Sequence, residues 1–195
     1  REARSSARAT KVSAINETGI RLLSARDPAE VARMTTSSGA LILEADHAVL
    51  RLQDPDSKRF VIKSYYGSAD ARGQEQLFKL DKQVCVETLK ARQPRLLRNL
   101  AKDVGLAALA GGLRSAVAAP LKRDGRPIGT LAFYDKVAAD QFFPGYFSDD
   151  DLQVFARYVS YVERALENAA FHVATAKHRN FDEETGLPNA DYWGR

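Results

Sequence analysis

The sequence predicts an α+β domain, with a central antiparallel β-sheet, helices packed on it and a long C-terminal helix. Three observations carry this. One region, residues 48–65, alternates with the period of two that a half-buried strand requires on both sides of turn-forming residues, and a second, residues 115–136, has two strand-like runs on both sides of the turn pair Asp124-Gly125. Segments with helix start signals lie before and between these regions. From Ser148 onward, Leu152, Phe155, Val159, Val162, Leu166, Ala169, Val173 and Ala176 recur at alternating steps of three and four. That spacing is the heptad seam of a two-stranded coiled coil rather than the wider stripe of a helix lying on a core.

Taken in order, residues 1–26 are Arg-rich and polar at first, and Val12, Ile15, Gly19 and Leu22 then form a short heptad-like row. This is an N-terminal helix or linker, read either as the end of a second rod or as a frayed, solvated lead-in. Asp27 as N-cap, Pro28 at the first helical position and Glu30 open the next helix. Val31, Met34, Ser38, Leu41, Ile42 and Ala45 fall on its inward side. Ala48, Leu50 and Leu52 then alternate with Val49, Arg51 and Gln53, and Phe60, Ile62 and Ser64 with Val61, Lys63 and Tyr65. Asp54-Pro55-Asp56-Ser57 between them makes an antiparallel hairpin. Residues 67–76 read as a polar loop and 77–80 as a short strand. Asp81 reads as the cap of a short helix reaching about Ala91, and a brief strand follows at 95–98. Residues 99–113 have no firm period and read as a loop with a turn or two of helix. Residues 115–122 and 126–136 form a second hairpin around Asp124-Gly125, which tolerates the positive φ of a tight turn. The aromatic loop with Phe142, Phe143, Tyr146 and Phe147 is expected to cover the end of the sheet. Ser148, Asp149, Asp150 and Asp151 then supply an N-cap and negative charge for the last helix. At 1.5 Å per residue that helix is about 45 Å long and should project from the body. The alternative is a long helix packed back on its own domain.

Composition narrows the function. With 195 residues, 45% of them hydrophobic, the chain can bury one core and carry extensions. It opens at Arg1 and stops at Arg195 inside a second motif, so the expectation is a piece of a longer protein. The formal charge of +4 comes from basic residues spread among acidic ones, so no patch suited to a phosphate backbone is expected and nucleic acid is not implied. Cys85 is the sole cysteine, which excludes an internal disulfide or a multi-cysteine zinc site and suits a cytoplasmic setting. No apolar run reaches the roughly 18 to 20 residues of a membrane span, and no direct membrane contact is expected. His47, His172 and His178 are too scattered for a metal site.

The residues also carry two resemblances. Ser115-Ala116-Val117-Ala118-Ala119-Pro120-Leu121, then Asp124-Gly125-Arg126-Pro127-Ile128-Gly129-Thr130-Leu131, then Phe147-Ser148-Asp149-Asp150-Asp151-Leu152, resembles the GAF family: a strand ending in Pro-Leu, a tight turn, Ile-Gly-x-Leu, and the start of the last helix. It implies a GAF domain over residues 27–170, its last helix beginning at 148, with a signalling-helix linker at 171–181. Residues Asp182-Glu183-Glu184-Thr185-Gly186-Leu187-Pro188-Asn189 look like the D-x-L-T-G-L-x-N opening of GGDEF domains, with Asp182, Thr185, Gly186, Leu187, Pro188 and Asn189 as the matching positions. GGDEF domains make cyclic dimeric GMP from two GTP, so GTP and Mg are implied for the missing remainder of a truncated domain at 182–195 and no cofactor for this piece. Glu184 stands where that family has Leu and Ala190 where it has Arg, which leaves the activity of the downstream domain open.

Together these imply a non-catalytic sensory domain, a homodimer through its terminal helices, controlling the GGDEF domain by binding a small molecule. The alternative is a ligand-free dimerisation and relay module with an inactive GGDEF domain. Some GAF proteins reduce free methionine sulfoxide through paired cysteines, but Cys85 stands alone on the apolar side of its helix. Val86 stands where bilin-binding relatives often have His, and the N-K…F-x-x-x-D-E pattern of cyclic-nucleotide binders is not found. A pocket would lie between the sheet and residues 77–113. Its candidate polar groups are Arg95, Arg98, Asn99, Arg114, Ser115 and Thr130, and its candidate apolar walls are Tyr65, Phe78 and Phe133. Strand parity alone does not say which face of 115–121 or 129–133 meets that lid.

Overall fold

The computed structural model describes the backbone of residues 2–138 and 142–180 and the side chains of 9–138 and 142–176. The elements run α1 (Glu2–Ser24), α2 (Pro28–Leu43), β1 (Ala45–Gln53), β2 (Phe60–Tyr66), α3 (Ala71–Ala91), β3 (Arg95–Leu97), 3-10 turns at Leu100–Lys102 and Ala107–Leu109, β4 (Ala116–Arg123), β5 (Arg126–Lys136) and α4 (Asp149–Asn180). The strands form one antiparallel sheet in the order β2-β1-β5-β4-β3. Both expected hairpins are present. The β4–β5 turn places Asp124 at φ 51° and Gly125 at φ 73°, the left-handed pair that a two-residue hairpin with the right twist requires.

Each strand face buries a different layer. On one face Ala48, Leu50, Val117, Ala119, Leu121, Leu131 and Phe133 pack with α1, α2 and α4 through Ile15, Leu22, Val31, Leu43, Phe155, Tyr158 and Val162. On the other, Val49, Ala116, Ala118, Ala132 and Tyr134 pack with α3 and the 3-10 segment through Leu77, Leu80, Val84, Leu100 and Leu106. A sheet covered on both sides explains why every residue from Ala116 to Leu121 is buried, small ones included.

Several expectations change. Residues 77–80 are not a strand, and Asp81 does not cap a helix. Asp70 is the N-cap, its carboxylate accepting from the Gly73 N–H at 2.8 Å, and α3 continues unbroken to Ala91. Its buried residues Leu77, Leu80, Asp81, Val84, Cys85 and Thr88 have helical spacing. On α2 the buried side is Val31, Ala32, Thr35, Thr36, Gly39, Ala40, Ile42 and Leu43, so Leu41 faces out and is 70% exposed. In the aromatic loop only Phe147 is buried; Phe142, Phe143 and Tyr146 are exposed.

The largest correction concerns α4. Its buried residues are Asp151, Val154, Phe155, Tyr158, Val159, Val162, Ala165, Leu166 and Ala169. This is the wide stripe of a helix lying on a core, not a two-column seam, and it packs on its own sheet, α1 and α2. Phe155, Val159, Val162, Leu166 and Ala169 therefore serve this fold, each large side chain contributing about 1.5–3 kcal/mol by burial. Leu152 is half-buried, while Val173 and Ala176 are exposed.

Candidate functional site beneath α3

The alternation that sends Leu131 and Phe133 to the helical layer sends Thr130, Ala132 and Tyr134 to the α3 layer, and in β1 it sends Val49 and Arg51 there too. Arg51 is thus a charged residue aimed between a sheet and a helix, and α3 supplies its partner. The Arg51 Nε donates to Asp81 Oδ2, and its Nη2 donates to the Phe78 carbonyl at 3.1 Å. Tyr134 Oη donates to Asp81 Oδ1 at 2.6 Å. Asp81 is 2% exposed and Tyr134 fully buried. Two strands and the helix are therefore joined through one carboxylate.

The electrostatics follow from that burial. Desolvation pushes the Asp81 carboxyl up from the ordinary range, opposed by the Arg51 charge and the Tyr134 hydroxyl. Burial, then the neighbouring Asp81 charge, pushes the Tyr134 phenol well up, so it remains a donor. Cys85, one turn beyond Asp81, is buried beside Thr130, and desolvation pushes its thiol up, which suppresses the reactive thiolate. Among the described residues no three His, Cys, Asp or Glu side chains converge on a metal site. No helix of the described chain is long and apolar enough to cross a membrane.

The sequence-predicted pocket residues do not converge. Tyr65 and Phe78 meet edge to face, with ring centroids 5.4 Å apart, at the β2 side of the α3 layer. Thr130 lies in that layer next to Cys85. Arg95 is held by Glu87 at 3.0 Å. Arg98 leaves the layer altogether, donating to both carboxylate oxygens of Asp149 at 2.7 Å. Asn99 is exposed and precedes the first 3-10 turn without capping it. Arg114 is half-buried, and its backbone N–H donates to Asp135 Oδ1 at 2.6 Å. Ser115 is buried with its hydroxyl unpartnered. Phe133 is on the wrong face: strand parity turns it into the helical layer, where its ring meets Phe155 at 5.5 Å. Arg51, Asp81 and Tyr134 were missed. Their signal was a charge at an inward strand position and another in a helical apolar stripe.

Comparison with known proteins gives this arrangement its family. The structure of free methionine-R-sulfoxide reductase from Neisseria meningitidis is similar at TM-score 0.66 and 15% identity, covering 84% of this chain and 92% of that one. The GAF domain of a putative sensor histidine kinase from Pseudomonas syringae pv. tomato is similar at 0.64 and 18%, covering 91% and 98%. A putative GAF sensor protein from Burkholderia vietnamiensis is similar at 0.64 and 21%, covering 84% and 98%. At these identities the likeness is one of fold. No curated protein matches the chain in sequence. The model of the GAF domain family matches residues 25–167, which is most of the chain, and this protein therefore belongs to the GAF domain family.

Proposed function

We propose that this GAF domain is a non-catalytic regulatory module of a signalling protein, pairing as a homodimer through its terminal helices and controlling a GGDEF domain that begins at Asp182. The output motif at 182–189 lies outside the described residues, and the link rests on its resemblance to GGDEF openings. The observation that carries the relay is the parallel course of α1 and α4. Lys11 meets Asp151 at 3.3 Å, and further along both helices Asn16 Oδ1 accepts from Tyr161 Oη at 3.1 Å. Past Ala169, the last buried residue among the described side chains of α4, the helix runs on to Asn180, about 16 Å further. A change felt by α1 thus has a continuous helical route off the body of the domain. Exposed Phe171 and Val173 on that projecting part are the side chains we assign to pairing.

Control without a small ligand, here of an active GGDEF domain rather than the inactive one of the ligand-free alternative above, has the better support. The space between α3 and the sheet, where a small molecule would sit, is crossed by the Arg51–Asp81–Tyr134 linkage and packed with Leu77, Leu80, Val84 and Ala132. Ligand sensing would require these three to part. Native mass spectrometry and a thermal-shift screen separate the modes: no co-purified molecule and no specific upward shift is the outcome expected here. The relay itself is tested by inserting two residues after Ala170, beyond the buried stripe. Cyclic dimeric GMP formation by the full-length protein should change while the melting temperature of the domain holds; unaltered product formation would refute the relay.

A further inference from the structure

Four charged side chains meet where α1 passes the start of α4. Lys11 of α1 reaches Glu44 Oε2 at 2.8 Å and Asp151 Oδ1 at 3.3 Å. Lys136, ending β5, reaches the same two oxygens at 3.0 and 3.1 Å. Glu44 is the left-handed C-cap of α2 and Asp151 lies in the first turn of α4. The four make a closed ring of alternating sign that touches α1, the α2–β1 corner, β5 and α4. Lys136 is fixed further by the Leu43 carbonyl at 3.0 Å and by the Phe147 ring at 5.7 Å, so Lys136 belongs to the body and Lys11 is the member that α1 carries.

Asp151 divides its carboxylate. Oδ1 serves the two lysines, while Oδ2 accepts from the Ser148 N–H and hydroxyl, both at 2.9 Å, and Ser148 Oγ in turn accepts from the Asp151 N–H at 3.2 Å. The side chain that receives α1 is thus also half of the box that starts α4. Sliding α1 by one turn, about 5.4 Å, takes the Lys11 ammonium from both carboxylates and leaves Asp151, 7% exposed, sharing one cation with Glu44.

We propose that this ring is a coupling joint that makes the integrity of the first turn of α4 depend on the position of α1. It rests on the relay reading for its purpose, and on the geometry of the ring for its action. Hydrogen exchange measured by mass spectrometry on the 195-residue chain tests it. Lys11→Met should speed amide exchange about ten-fold both in α1, residues 9–23, and at the start of α4, residues 152–157, and leave β5 amides 131–134 unchanged. Lys11→Arg should restore protection at both sites. Faster exchange in α1 alone, or an equal acceleration in β5, would overturn the joint. Such a failure leaves the output reading intact, because that reading stands on the insertion experiment; unaltered cyclic dimeric GMP there leaves the joint standing.

Discussion

Asp81 is the residue on which the α3 layer depends most. Replacing it with Asn keeps the shape but leaves Arg51 buried without its counter-charge, and breaking such a pair typically costs about 3–5 kcal/mol. Tyr134→Phe removes one buried hydrogen bond to the carboxylate and should cost less, about 1.5–3 kcal/mol. Urea unfolding of the two variants checks the ranking, and equal losses would show that the carboxylate does not organise the layer. Asp151 makes a prediction in pH. Burial acts to raise its carboxyl, but the Ser148 N–H and the Lys136 charge outweigh it and hold it below the ordinary range. A carboxyl lowered in the folded state contributes stability that is present above its unfolded value, about 3.9, and is lost as pH falls through the folded value. The stability advantage of the wild type over Asp151→Asn should therefore be full at pH 7 and close below about pH 4; a gap that persists into acid would refute this account. Neither role was legible beforehand in full. Ser148 and Asp151 are three residues apart, so the box could be read from the chain. Arg51 and Asp81 are 30 apart, and an Asp before a helical run reads locally as a cap.

At the scale of elements, α1 and α4 touch through a glycine. A Cβ on Gly19 would lie 2.4 Å from Tyr161 Cδ1, well inside contact distance and near the base of the ring rather than at its free end. Gly to Ala in a helix ordinarily gains up to about 1 kcal/mol. Here Gly19→Ala should instead lose about 1–3 kcal/mol by forcing the helices apart. Gly19→Ala in a Tyr161→Ala background should regain stability, so thermal unfolding of the four proteins in that cycle should be strongly non-additive. Additive changes would mean that α1 does not seat on the ring. The row Val12, Ile15, Gly19 and Leu22 reads from the sequence as the end of a rod or a solvated lead-in, but Ile15, Gly19 and Leu22 are buried, Ile15 and Leu22 in the domain's own core, and Val12 is half-buried. On α4 the steps of three and four were real but incomplete. Val154, Tyr158 and Ala165 form a further buried column that a two-column reading passes over. Tyr158 is hidden in it because its hydroxyl has a partner inside, the Thr35 carbonyl at 2.9 Å.

At the scale of the molecule, the sheet separates two jobs. Its α3 face is closed by the Arg51–Asp81–Tyr134 linkage, and its other face holds α1 and α4 side by side in one core. An insertion within the buried stripe of α4 would disturb that core, whereas one past Ala170 would rotate only the projecting part. The site of insertion therefore decides whether the experiment reads folding or transmission. A melting temperature that drops sharply on insertion past Ala170 would show that the projecting part belongs to the core after all.

The sequence by itself determined the α+β class, both hairpins with their turns, and the starts of α2 and α4, because turn residues, strand runs and helix caps are written within a few residues of one another; the family it indicated by the resemblance of residues 115–152. Only the tertiary structure decided which face of each strand meets which layer, that the apolar residues of α4 up to Ala169 turn onto their own sheet, that Phe133 lies opposite Thr130, and that Arg51, Asp81 and Tyr134 meet. A strand shows its alternation but not its inside, and a helical stripe shows its width but not its partner. Both are settled when distant segments compete to bury the same apolar area and to satisfy the same buried charge.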